Sequence, residues 1–177
     1  MTTKAQVLAE LSRMTVPMPK RLANHYAQMA IADPQYLDGL FQLVEADNLI
    51  LARKSAWVLR VVSEEAPQLL QPFSVRISSW VVNSDCDSII RDAMSCLLHL
   101  EWNDEIESRL LDRCYVLCSV EWTAVAVKYN ALKVLCRIVK KYPDLQLEFI
   151  ERMTELYEVN PANWTRQAKR LIKEATK

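Results

Sequence analysis

The sequence predicts an all-α fold, a solenoid of about four and a half helical hairpins, and three observations predict it. Four alanines, Ala56, Ala93, Ala131 and Ala168, recur at intervals of 37, 38 and 37 residues, each within an apolar segment of helical periodicity. A repeat of about 20 to 50 residues without strand signals marks units that bury their apolar faces only against their neighbours. The chain holds one glycine, Gly39. Because glycine supplies the positive-φ positions of hairpin turns and phosphate-cradling loops, β-rich folds, Rossmann folds and P-loops are excluded together. Nowhere do apolar and polar residues alternate strictly over the length of a strand.

Each helix follows from its own start and stop signals. Apolar periodicity places helices near 3–13 and 19–31. Asp33-Pro34 is an N-cap followed by proline at the first helical position, opening 34–45. The next helix, 48–65, ends at Ala66-Pro67, where the ring forbids continuation, and 67–82 follows. Ser84, Asp85 and Asp87 offer caps for 87–100. A helix over 104–118 is followed by one over 121–141, with Ser119 as its expected cap. Tyr142-Pro143 ends that helix and leads into 144–158. Asn160-Pro161 repeats the Asn/Asp-Pro device before 162–175.

Aligned on the alanines, the segments fall into register. Three residues on stand Leu59, Cys96, Val134 and Leu171; two residues before stand Lys54, Arg91, Tyr129 and Arg166. An earlier, shorter unit fits with Arg21, Ala23 and Tyr26. A small residue at this point lets adjacent helices approach closely while its apolar flanks fill the ridge between them. The second helix of each pair carries its own stripe: Leu37, Leu40, Phe41 and Val44; Leu70, Phe73, Ile77 and Val81; Ile106, Leu110, Cys114 and Leu117; Phe149, Met153, Leu156 and Tyr157. One domain over 1–177 is expected, with repeats near 19–46, 48–82, 84–119 and 121–159 and a terminal half-repeat at 161–177.

This pattern resembles the HEAT and armadillo-like helical repeat family over about residues 19–175. It is carried by Arg21-Leu22-Ala23, Lys54-Ser55-Ala56, Arg91-Asp92-Ala93, Asn130-Ala131 and Arg166-Gln167-Ala168, with Pro34, Pro67 and Pro143 opening second helices. The resemblance implies a right-handed α-α superhelix, first helices on the convex side and second helices on the concave side, used to hold another macromolecule.

Lys plus Arg is 22 and Asp plus Glu is 22, so no global basic field draws nucleic acid or an anionic membrane. The distribution is uneven: residues 1–127 hold 11 basic and 16 acidic groups, residues 128–177 hold 11 and 6. Within the second stretch, 128–142 is basic, 143–160 acidic and 161–177 basic again, which pairs adjacent helices by sign. Lys133, Arg137, Lys140, Lys141, Arg170 and Lys173 are candidates for an outer basic ridge. The five cysteines are odd in number and sit mostly on apolar faces, as reduced thiols of a cytoplasmic protein do. No signal-peptide pattern and no uninterrupted apolar span is present, so neither secretion nor membrane insertion is expected.

No catalytic, cofactor-binding or metal-ligating set is predicted. Cys96, His99, Cys114 and Cys118 have spacings that four ligands of one metal can take, but Cys96 and Cys114 stand where sister repeats carry apolar residues, so burial is the expectation. The histidines, His25 and His99, lie beside no compact nucleophile motif. Of the five tryptophans, Trp57 is expected in the core and Trp102, Trp122 and Trp164 at turns.

The function expected is therefore non-catalytic: an adaptor or scaffold taking a protein or peptide along its concave groove. Arg76, Trp80, Arg109, Arg113, Tyr115, Arg152 and Glu155 are the candidate contact residues, since arginine and aromatic residues dominate interface hot spots. The chain is expected to be a monomer or weak homodimer, with Val16, Met18 and Met29 as candidate self-contacts. The alternative is an enzyme similar to the alkylpurine DNA glycosylases built from HEAT-like repeats, with Trp80 and Asp112 in the aromatic and carboxylate roles. The net acidity of residues 1–127 disfavours that DNA-binding alternative.

Overall fold

The computed structural model describes residues 9–10, 12–13 and 18–176. The helix expected over 3–13 lies mostly outside these residues, as does Val16. Ten α-helices and two 3₁₀ turns are present among the described residues, and no strand. They divide into two compact units, residues 1–77 with 95–101 and residues 78–94 with 102–177.

In the first unit, α1 (Lys20–Ala32) buries Ala23, Tyr26, Ala27 and Ala30, a stripe at spacings of three, one and three. Helix α2 (Pro34–Val44) starts as its Asp-Pro pair dictates: the Asp33 carboxylate accepts from the Gln35 N–H at 2.9 Å. Asn48 caps α3 (Leu49–Glu65) by accepting from the N–H groups of Ile50 and Leu51. The helix expected over 67–82 is interrupted. Helix α4 (Pro67–Leu70) gives way to a 3₁₀ turn at Gln71–Phe73 before α5 (Ser74–Asn83), because Pro72 has no N–H to give to the helical ladder. Helix α1 packs on α2 and α3, and α3 on α2 and α4.

Helix α6 is Asp87–Leu97, shorter than expected. In the second unit, α7 (Asp104–Ser119) is capped by Asn103, whose side chain accepts from the Ile106 N–H at 3.0 Å, and carries Asp104, Glu105 and Glu107 in its first turn, where negative charge complements the helix dipole. Helix α8 (Val125–Lys141) begins four residues later than the sequence suggests. Ser119 does not cap it; its hydroxyl donates to the Val116 carbonyl instead. The Asp87 carboxylate, 37 residues back, accepts from the Ala124 N–H at 3.1 Å. After a 3₁₀ turn at Pro143–Leu145 come α9 (Gln146–Glu155) and α10 (Ala162–Ala175). Pro161, not Asn160, occupies the N-cap of α10, and Asn160 turns inward to a bond described below. Helix α8 packs on α7 and α10.

The recurrent alanines are all buried, at most 2% exposed, on α3, α6, α8 and α10. Helices from adjoining repeats abut in both units, α1 with α3 and α8 with α10, as the spacing of these small residues requires. The period also appears in the polar bonds between repeats. Gln28 donates to Glu65, the Asn130 amide donates to the Arg91 carbonyl, and Lys141 bonds Glu107, partners 34 to 39 residues apart.

The aromatic placements differ in part from expectation. Trp164 lies within α10, not in a turn, and is buried. Trp57 is half-buried, while Met94 and Leu132 at its sister positions are fully buried. Trp122 sits in the turn before α8 and is 86% exposed. Of the candidate self-contacts, Met18 is buried and Met29 half-buried.

Candidate functional site

The second helices carry an arginine at the same point of successive repeats: Arg76 on α5, Arg113 on α7 and Arg152 on α9, at intervals of 37 and 39 residues. Each reaches back to the repeat before it. The Arg76 guanidinium pairs with both carboxylate oxygens of Glu45, at 2.7 and 2.6 Å, and stands 4.9 Å from the centre of the Phe41 ring. Arg113 donates through Nε to the Val81 carbonyl and through Nη2 to the Ser84 carbonyl, both at 3.2 Å. Carbonyls at a helix C-terminus lack helical partners and carry partial negative charge, so a guanidinium there satisfies both needs. Arg152 lies over the Tyr115 ring at 4.6 Å and pairs with Glu148 of its own helix at 2.6 Å.

Three of the expected contact residues are thus tied into the stack, and a fourth, Trp80, is buried at 8% exposure. Arg109, held to Glu105 at 2.8 Å, remains on the exposed side of α7. Glu155 is exposed and, with Ile150, Glu151, Thr154 and Glu158, lines an open depression of about 620 Å³ on α9. The structure brings Tyr115 and Arg152 together. Asp112, cast beside Trp80 in the glycosylase alternative, is exposed whereas Trp80 is buried.

A second depression, about 280 Å³, lies between α7, α8 and the 3₁₀ turn, lined by Asp104, Glu107, Ser108, Leu111, Ile138, Tyr142 and Leu145. The buried Glu107 carboxylate accepts twice from Lys141 at 2.9 Å and once from the Tyr142 hydroxyl at 2.7 Å. Those bonds raise the pKa of Lys141, Glu107 first and Tyr142 second, and the Glu107 bond raises that of Tyr142. With its carboxylate occupied by the protein's own cation, this site is a structural clasp.

The burial that packs Cys114, Cys118 and Cys136 also disfavours their thiolate forms. Burial pushes Cys118 and Cys136 up to about 12 and raises Cys114 well above the ordinary range, and a thiol without thiolate is neither nucleophile nor ligand. Among the described residues no group of three His, Cys, Asp or Glu side chains gathers to hold a metal, and no helix is long and apolar enough to cross a membrane.

Among the described residues of the second unit, exposed large apolar side chains lie on the second helices and also at Trp122, Val125 and Val159, in the turns and at the start of α8. Val116 on α7 and Leu147 and Ile150 on α9 are open to solvent, Leu147 to 77%. Sequence reading missed these three because an apolar side chain at the edge of a helix stripe reads as core; the signal was their position outside the stripes Ile106–Leu110–Cys114–Leu117 and Phe149–Met153. A family model described as HEAT repeat domain matches residues 12–174. No curated protein and no solved structure matches the chain.

Proposed function

Because the HEAT repeat domain match covers most of its length, the chain belongs to the HEAT repeat family, and from that membership we propose that it is a non-catalytic interaction module holding a protein or peptide on the face made by its second helices. The observation that carries the reading is that α7 and α9 each expose apolar side chains as well as charges. Val116 shares α7 with Arg109 and Tyr115, and Leu147 and Ile150 share α9 with Arg152 and Glu155, while α8 beyond Val125 and α10 expose no large apolar side chain among the described residues. A mixed surface of this kind supplies apolar area for burial and charges for orientation. Of the seven contact residues expected from sequence, Arg109, Tyr115, Arg152 and Glu155 fit the role. Arg113 and Trp80 support the face from beneath, and Arg76 supports the first unit.

The test is a comparison of partners captured from cell extract. Val116→Glu with Leu147→Glu, both at exposed positions, is expected to abolish capture of the proteins retained by the unaltered chain, with the thermal melt unchanged. Lys173→Glu on α10 is expected to retain them. Equal capture by the double variant removes the second-helix face from consideration.

A further inference from the structure

The zero net charge of the chain conceals a local field. Of the five cations between residues 128 and 142, two are held by polar side chains of neighbouring repeats: Lys128 is buried against Asn160, and Lys141, at the surface, is bound to Glu107. The other three, Lys133 and Arg137, half-buried over aromatic rings, and Lys140, exposed, occur at intervals of four and three and lie opposite the buried stripe of α8, Lys128, Ala131, Leu135 and Val139. Helix α10 repeats the arrangement 33 residues later. Arg166, Arg170 and Lys173, also at intervals of four and three, are exposed opposite its buried stripe, Trp164, Ala168, Ile172 and Ala175. Since α8 packs directly on α10, the two rows run on neighbouring helices. At 1.5 Å per residue each row is about 10 Å long, and packed helices are about 8–10 Å apart.

We infer that this double row of cations on α8 and α10 is a docking surface for the phosphodiester backbone of duplex nucleic acid, bound without regard to sequence. The ligand must offer closely repeated negative charge, and a strand presents a phosphate about every 3.4 Å of helix axis. Helix α8 contains no acidic residue and α10 only Glu174, 4.0 Å from Arg170. Three competing occupants fit less well. Adsorption to a membrane draws on apolar side chains beside the cations, and the rows have none. The acidic face of α9 in a second copy would bring Leu147 and Ile150 against charge. Single strands bind by stacking bases on open aromatic faces, and here Lys133 already stands 4.5 Å over Tyr129 and Arg137 4.0 Å over Trp102. The surface is separate from the second-helix face, so the two assignments fail independently.

The experiment is fluorescence anisotropy of a labelled 20-base-pair duplex of scrambled sequence, titrated with the full chain at a series of salt concentrations. Six phosphate contacts predict a slope of log K against log salt of about −5, and a loss of about 10³-fold between 50 and 200 mM salt. The variant Lys140→Gln/Arg166→Gln/Lys173→Gln, all at exposed positions, is expected to shallow the slope to about −3; Lys140→Arg/Arg166→Lys/Lys173→Arg is expected to keep it. If the triple glutamine variant fails to fold, Lys140→Gln alone is expected to lower the slope by about 0.9. The assignment is overturned by no binding at 50 mM salt, by a slope that neither glutamine variant changes, or by tighter binding to phosphatidylserine vesicles, polyglutamate or the single strand than to the duplex.

Discussion

Replacing Asn160 by alanine tests the most demanding bond in the second unit. Lys128 is 2% exposed, its ammonium donates to the Asn160 side-chain oxygen at 2.6 Å, and the Asn160 amide donates to the Leu156 carbonyl at 2.9 Å. Burial lowers the pKa of Lys128, against smaller opposing effects of Cys118 and Glu121. A hydrogen bond to a charged group contributes about 1.5–3 kcal/mol and the second bond about 1 kcal/mol, so Asn160→Ala is expected to cost about 2–4 kcal/mol. For a chain of this size that is a fall in Tm of about 4–16 °C, read by far-UV circular dichroism with urea denaturation alongside. Removing the ammonium as well, in Lys128→Met/Asn160→Ala, is expected to recover at least half of the loss, because the penalty belongs to the stranded charge rather than to the missing amide. The sign of the pH dependence follows. A lysine whose pKa is lower in the folded chain binds more protons when unfolded, so the deficit of the single variant shrinks as pH rises toward the ordinary lysine pKa, and the double variant lacks that term. A single variant within 0.5 kcal/mol of the unaltered chain, or a double variant no more stable than the single, refutes this account.

Two further outcomes test the repeat packing. Ala131→Leu forces extra carbons into the place where α8 meets its neighbours and is expected to lower stability by about 1–3 kcal/mol, measured by urea denaturation; a neutral result means that the small residue is not needed there. In thiol titration of the native chain at neutral pH, half-buried Cys86 is expected to react while Cys96, Cys114, Cys118 and Cys136 stay silent until urea is added. Early reaction of more than one thiol contradicts the burial of the α6, α7 or α8 face that carries it.

What the sequence disclosed best was whatever one helix settles alone. Asp33-Pro34 fixes a start by its own geometry, and the alanine period needs only the helical repeat to be read. Asn160-Pro161 has the same local grammar, yet Asn160 serves Lys128, because a buried ammonium 32 residues away competes for its oxygen more strongly than a backbone N–H. The arginines at 76, 113 and 152 are only partly legible in the sequence for a related reason. Spacing tells which side of a helix they occupy, but not that Glu45, two helix-end carbonyls and Tyr115 wait on that side. Lys128 and Lys133 lie on different faces of α8, but the sequence does not show that Asn160 lies over the first.

The backward reach of these side chains limits how such a protein can change in length. Arg113 closes the end of α5, Asp87 supplies the first bond of α8, and Asn130 holds the Arg91 carbonyl. Duplicating or deleting one complete module keeps each of these side chains facing the module behind it. Inserting half a module, or a single extra helix, leaves guanidinium, carboxylate and carbonyl groups facing the wrong surface at two seams simultaneously. Growth by whole modules is thus the change of length that keeps these side chains turned toward the module they reach.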